Sequence, residues 1–436
     1  MNNSKPEILI AKEEWDNILN NYRPSGISPN WEENNIHSFP YNLGPYLYEI
    51  CKKGVSMSNF INPKYKNTKY IDKKLLHGKK YFYVINIYEP LFFHFNKTEG
   101  FKNIDSDIIN DIQNDNCKLI LVQDVEGLSG MKNSQFEYEY EFKIVEKWCE
   151  MVNIPYQNVY YISGNLKSGI ISKEQNLSIN VIPITVQEAW NNVFNFDKNV
   201  VEFKPNNEKY LFLNYSRRPR LHRTFFTLNL LKEKLDECGL WSFNFLEQEA
   251  NRNELLSLDY TLEPYIDFLE KNSPFLIDED NSGDNITTHV PINDYETTFI
   301  TVVGETLYDE SVLFISEKTW KPIIVGTPFI ILGNPHTLEY LKKEGFKTFD
   351  KWIDESYDLE IDLSNRVQMI INEIKKLKSK SLEELIEIRK EMKPICEFNK
   401  KLMRERTSNK FYESGEFVHN KPTSDIINEI WNNWKK

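Results

Sequence analysis

Hydrophobic and polar positions follow two rhythms along this chain, and their order predicts its elements. From Lys80 the run YFYVINIYEP gathers β-branched and aromatic residues before a Glu-Pro stop, the pattern of a buried strand. Asp105 to Ile112 (DSDIINDI) reads as a helix with an aspartate cap, and Lys118 to Asp124 (KLILVQD) as a second buried strand. Between Gln135 and Val152, the residues Phe142, Val145, Trp148, Cys149 and Val152 fall at three-four spacing and share one helical face. NVYYISGN, Asn158 to Asn165, is the next strand. Strand, helix, strand with short polar turns predicts parallel βαβ units, because parallel neighbours need a crossover and the helix supplies it.

The polar stretch Phe196 to Lys209 reads as a linker, after which the rhythm restarts. KYLFLNY (Lys209 to Tyr215) is a strand, RRPRLHR a basic turn, and Thr224 to Cys238 a helix for which Gly239 is a fitting stop. A strand restarts at Trp241, Ile277 to Asn285 is an acidic exposed loop, and TTFITVV (Thr297 to Val303) is a strand. Ser316 caps a helix, Phe329 to Leu332 (FIIL) is a strand closed by Gly333 to Pro335, and His336 to Lys343 is a helix stopped at Gly345. Leu363 to Arg406 carries amphipathic helices. The expectation is an α/β protein of two Rossmann-like domains facing a central cleft, with C-terminal helices. Its divisions would be an N-terminal extension packed on the first lobe at 1–79, a Rossmann-like acceptor domain at 80–200, a Rossmann-like nucleotide domain at 208–410, and a tail at 411–436.

Composition narrows the function. The chain has 436 residues, 40% of them hydrophobic, ample for two cores and incompatible with global disorder. Its net charge of −12 disfavours a general polyanion binder. No apolar run is long enough to span a bilayer, the first residues lack a signal pattern and the cysteines are scattered, which predicts a cytoplasmic protein, while richness in Asn, Ile and Lys hints at an AT-rich genome and so at a bacterial or virus-infected cell. The 5 Cys never form CxxC and the 7 His show no ligand spacing, so no metal or cofactor is expected.

Against that acidic background, Lys209 to Arg223 holds Lys209, Arg217, Arg218, Arg220 and Arg223 and no acid. A strand emptying through Asn214 into a basic turn and a helix start is an anion cradle, since guanidinium forks and backbone N–H groups converge there. It suits a pyrophosphate. In the second candidate stretch, Gly304 to Gly333, Glu305 follows a strand directly, and Glu317 and Lys318 open a helix behind Ser316. Glu317 there is either a first-turn acid favoured by the helix dipole or an acceptor for a ribose diol, with Lys318 or Lys321 meeting phosphate. In the first half, Asp124 and Glu126 follow the strand KLILVQD, where they are either polar residues of a strand-end turn or the acids, Glu126 first and Asp124 as the alternative, that take a proton from an acceptor hydroxyl. Glu305 is the other acid given a catalytic role.

The segment SEKTWK followed by GTPFIILG resembles the C-terminal signature of GDP-fucose-using fucosyltransferases. The wider stretch, with FLNYSRRPRLHR and SEKTWKPIIVGTPFIILGNPHTLEYLKKEGFKTF, is similar to phage and bacterial glycosyltransferase-like proteins of GT-B architecture. The resemblance implies that the C-terminal lobe holds an activated sugar nucleotide, with Arg217, Arg218 or Arg220 clamping its diphosphate and Glu317 holding its ribose. It implies metal-independent, inverting transfer of a hexosyl or fucosyl group to a hydroxyl acceptor, a glycan or a modified DNA base. Two positions depart from the fucosyltransferase pattern: Glu305 stands further from Glu317 than that family's acidic group, and Pro322 interrupts the helix. The rival readings are a nucleic-acid-binding protein that grips phosphates with the basic turn, and an inactive scaffold of the same fold.

Overall fold

The computed structural model describes residues 8–12, 68–72, 80–86, 104, 106–123, 141–183, 200–205, 211–216, 219–245, 251–277, 290–407, 429, 430 and 432–434. The chain divides into two units, Met1–Asn192 with Tyr412–Lys436, and Val193–Phe411.

The first unit is built on one sheet of strands β1 (Ile8–Lys12), β2 (Thr68–Asp72), β3 (Tyr81–Asn86), β4 (Cys117–Gln123), β5 (Val159–Ser163) and β6 (Asn180–Pro183). They lie in the order β2-β1-β3-β4-β5-β6, every pair parallel. Helices α1 (Ser106–Gln113), α2 (Glu141–Met151) and α3 (Ser168–Glu174) are the crossovers. Ile108 and Ile112 of α1 and Phe142, Val145, Trp148 and Cys149 of α2 bury the faces that their spacing predicts, joining Phe82, Leu119, Leu121 and Tyr161 in one core. Burying each such side chain contributes about 1.5–3 kcal/mol.

The expected extension at 1–79 is corrected here, because β1 and β2 are strands of this sheet and β1 pairs with β3. The tail also belongs to this unit: Ile430 and Trp434 are buried in its core. Trp434 stacks on Phe82 at 5.8 Å, its Nε1 donates to Asp115 at 3.0 Å, and the ammonium groups of Lys80 and Lys118 face its ring.

The second unit carries β7 (Phe212–Ser216), α4 (Leu221–Lys232), β8 (Gly239–Phe243), α5 (Arg252–Leu258), α6 (Glu263–Asn272), α7 (Ile292–Thr297) and β9 (Ile300–Gly304). These are followed by α8 (Glu317–Val325), β10 (Phe329–Leu332), α9 (Thr337–Lys343), α10 (Leu363–Lys378) and α11 (Leu382–Thr407). Its sheet runs β10-β9-β7-β8, again all parallel. Every residue of β9 and β10 is buried, as strands covered on both faces must be, which explains their unbroken apolar sequences. Residues 200–205 belong to this unit, Val201 donating to the Val325 carbonyl at 2.9 Å, so it begins before the linker that the composition suggests.

Three local expectations change. The basic turn is shorter than expected, because Arg220 is extended (φ −70, ψ 153) and caps a helix that already contains Leu221, His222 and Arg223. That helix ends at Lys232, and Gly239 opens the next strand instead of closing the helix. A Cβ on Gly239 would run into the Phe212 ring, so the glycine serves close packing of neighbouring strands. Finally, α8 passes through Pro322, which removes the bond to one carbonyl, and closes on Gly326 at φ 80, whose N–H returns to the Pro322 carbonyl at 2.9 Å.

Candidate functional site

The strand order of the second sheet sets where a ligand belongs. Numbered within the unit, the strands run 2-1-3-4, so the chain reverses direction of travel between β7 and β9. In open parallel sheets, ligands bind outside the carboxyl ends of the strands at this reversal. β7 ends there in Ser216 and β9 in Gly304, so Asn214 and Glu305, of the expected site residues, stand at these strand ends.

Ladder pairing of β7 with β9 covers Phe212 with Ile300 and Leu213 with Thr301. One residue further on, buried Asn214 bridges the strands with its side chain, donating to the Val302 carbonyl at 2.7 Å. Asn214 therefore holds the ends of the two strands together. Gly304 sits where a Cβ would lie 3.0 Å from Ser216 Oγ and 3.1 Å from Arg223 Cγ, and its bare Cα lets β9 meet both β7 and α4.

Glu305, next in the chain, is the hub. Its carbonyl oxygen accepts from His222 Nε2 at 2.6 Å and from Arg223 Nε and Nη2 at 3.0 and 2.8 Å. Because a carbonyl only accepts, His222 carries its proton on Nε2. Burial, reinforced by the charges of Arg223, Arg220 and Arg366, keeps its pKa well below the usual 6.5. Its ring lies 4.9 Å from that of Tyr308.

The Glu305 carboxylate is 0% exposed and accepts four hydrogen bonds: Ser316 N–H at 3.0 Å and Thr319 Oγ1 at 2.6 Å on Oε1, Thr306 N–H at 2.9 Å and Ser316 Oγ at 2.6 Å on Oε2. All its acceptor sites are occupied by donors of α8 and the preceding loop. The expectation that Glu305 is catalytic is corrected: a base needs a lone pair facing an acceptor, and this carboxylate has turned into the start of α8. Gly333 makes room for it, since a Cβ there would lie 2.9 Å from Glu305 Cβ.

Arg220 Nη1 donates to the Thr306 carbonyl at 2.8 Å, and Lys318 Nζ reaches the Thr306 hydroxyl at 3.3 Å. The basic turn and the Glu-Lys pair of α8 thus meet at one residue. Lys318 also contacts Ser316 Oγ at 3.4 Å and Glu317 Oε1 at 2.5 Å, and its side chain is 26% exposed. Burial pushes the Glu317 carboxyl up, but the Lys318 and Lys321 ammoniums outweigh it and hold the pKa at about 2, so Glu317 is an ionised acceptor. Ser316 caps α8 as expected, accepting from Lys318 N–H at 3.3 Å.

Arg223 is 3% exposed and, through its bonds to the Glu305 carbonyl, fastens α4 to the end of β9. Asp124, Glu126, Arg217 and Arg218 lie outside the described residues. Sequence reasoning did not foresee Thr306, the fastening role of His222, or Arg366. Arg366, 1% exposed, donates to the carbonyls of Gly333 at 2.6 Å, Tyr308 at 3.2 Å, Glu360 at 2.6 Å and Ile361 at 3.3 Å, tying the loops beyond β9 and β10 together. The signal available was an arginine at three-four spacing from Leu363 and Ile370, on the apolar side of an amphipathic helix. At the start of α9, by contrast, the Asp358 carboxylate accepts from the N–H groups of Leu338 and Glu339 at 2.9 and 3.1 Å, so that helix end is filled from within.

No family model matches the chain, and no curated protein sequence matches it. Among solved structures it is similar to the GtfA/B complex, at 12% identity and a TM-score of 0.33 over 70% of this chain and 54% of that one, about half of its length. It is also similar to T4 phage β-glucosyltransferase, at 10% identity and a TM-score of 0.32 over 80% of this chain and 86% of that one. The same T4 enzyme in complex with its UDP-glucose substrate aligns at 9% identity and a TM-score of 0.30, over 86% of this chain and 96% of that one.

Proposed function

We propose that the chain is a glycosyltransferase that binds a nucleoside-diphosphate sugar at the carboxyl ends of β7 and β9 and transfers the sugar to a hydroxyl acceptor. The observation that carries this reading is the meeting of Arg220 and Lys318 on Thr306, at the strand reversal where α/β sheets bind ligands. Two cations from separate elements, each bonded to Thr306, suit the two phosphates of a diphosphate leaving group, whose developing charge they stabilise as the glycosidic bond breaks. Ionised Glu317, one residue away, is the acceptor for the ribose hydroxyls, and Glu126 or Asp124 takes the acceptor's proton. With cations supplied by side chains, transfer runs without a metal and, by direct displacement, with inversion.

The test is a panel of UDP- and GDP-sugars, assayed for release of the nucleoside diphosphate and for a rise in melting temperature, with and without a chelator. At least one donor is expected to stabilise the protein and to be turned over in the presence of the chelator. Silence across the panel refutes the assignment.

A further inference from the structure

Glu305 and Thr306 offer more than a framework for α8. Glu305 Oε2 holds the Thr306 N–H, which fixes the plane of the 305–306 peptide and with it the direction of the Thr306 residue. The Thr306 carbonyl then receives Arg220 and its hydroxyl receives Lys318. The other oxygen, Oε1, anchors Ser316 N–H and Thr319, at the start of the helix that carries Lys318. The Glu305 carbonyl meanwhile anchors His222 and Arg223, at the start of the helix capped by Arg220. Both cations are therefore referenced to one residue, by two routes each.

Resting on the diphosphate reading of this site, we propose that Glu305 is a positioning residue that sets the separation of Arg220 and Lys318 through Thr306, and so selects a ligand with two linked phosphates over one with a single phosphate. A monophosphate engages one of the two cations. A diphosphate engages both only when their spacing is held, and holding it in advance removes the ordering cost from the binding step.

Glu305→Gln is the informative change. A carboxamide has one oxygen, so whichever way it turns, its NH₂ faces a backbone N–H, that of Thr306 or of Ser316, neither of which can reverse direction as a hydroxyl can. The matched control is Asp358→Asn, which removes a buried carboxylate that caps α9 in the same unit and touches neither cation. Binding of UDP, GDP, UMP and GMP is measured by calorimetry on the full chain at a temperature where every variant is folded. The wild type is expected to prefer diphosphate, Asp358→Asn to keep that preference with a lower melting temperature, and Glu305→Gln to lose about tenfold or more of it, the size of one charge-assisted hydrogen bond. An unchanged preference in Glu305→Gln overturns the proposal. Should Glu305→Gln not fold, Glu305→Asp, too short to reach both Thr306 and Ser316, takes its place with the same expectation.

If the wild type binds none of the four nucleotides, the sugar-nucleotide reading fails, and amide hydrogen exchange reads the positioning role by itself. In Glu305→Gln, faster exchange in both 219–224 and 306–319 supports a shared reference point. Faster exchange confined to 306–319 overturns it.

Discussion

Replacing His222 with glutamine isolates the electrostatic cost of the site in one number. The native imidazole is fully buried, carries its proton on Nε2 toward the Glu305 carbonyl, and has three arginines around it, so it stays neutral well below pH 6.5. In the unfolded chain it protonates near its usual value. Below that value the unfolded state binds a proton that the native state does not, and stability falls as pH falls, by up to 1.36 kcal/mol per unit. From about pH 7.5 to about pH 5.5 this group alone costs the wild type on the order of 1 kcal/mol, most of it below pH 6.5. A glutamine amide can make the same bond to the Glu305 carbonyl and does not titrate. Urea unfolding at both pH values is the assay, read on the transition that unfolds the second unit. The wild type should lose on the order of 1 kcal/mol more than His222→Gln over that interval, whatever constant offset separates the two proteins. Parallel pH profiles would mean that the native imidazole protonates freely, and would refute the buried, carbonyl-bonded histidine.

Three further changes probe the framework. Gly333→Ala places a Cβ 2.9 Å from Glu305 Cβ, and overpacking of this kind costs about 1–3 kcal/mol, checked by thermal melting. Arg366→Met leaves the carbonyls of Gly333, Tyr308, Glu360 and Ile361 without this donor, and a loss of roughly 3 kcal/mol is expected from the buried carbonyl and its neighbours. Arg366→Lys should restore little of it, because a single ammonium cannot reproduce the planar fork. Trp434→Ala, at a position 9% exposed in the first unit's core, should lower that unit's stability by about 3–5 kcal/mol and leave the second unit's transition in place.

The elements that could be read from the sequence are those whose cause is local. KLIL, Lys118 to Leu121, and FIIL are strand residues because their side chains are buried on both faces, and Ser316 caps α8 because its hydroxyl meets an N–H two residues on. The strands at Ile8–Lys12 and Thr68–Asp72 were missed, being five residues each in polar surroundings and identified only by pairing, with each other across the intervening chain and, for the first, with β3. Glu305 shows the limit most clearly. A carboxylate after a strand reads as a base, and only the fold reveals donors 11 and 14 residues later that fill it. His222 and Arg223 looked like part of a basic turn because their acceptor, the Glu305 carbonyl, is more than eighty residues away. Arg220, Lys318 and Glu317 were legible as charge chemistry. What brings the two cations together is a threonine with no signature of its own.

Arg220 and Lys318 are proposed to serve one diphosphate, and a crystal structure of the protein soaked with UDP or GDP is the decisive test. Phosphate oxygens are expected within hydrogen-bond distance of both side chains, beyond the carboxyl ends of β7 and β9. A nucleotide bound elsewhere, or one whose phosphates touch neither residue, would contradict this proposal.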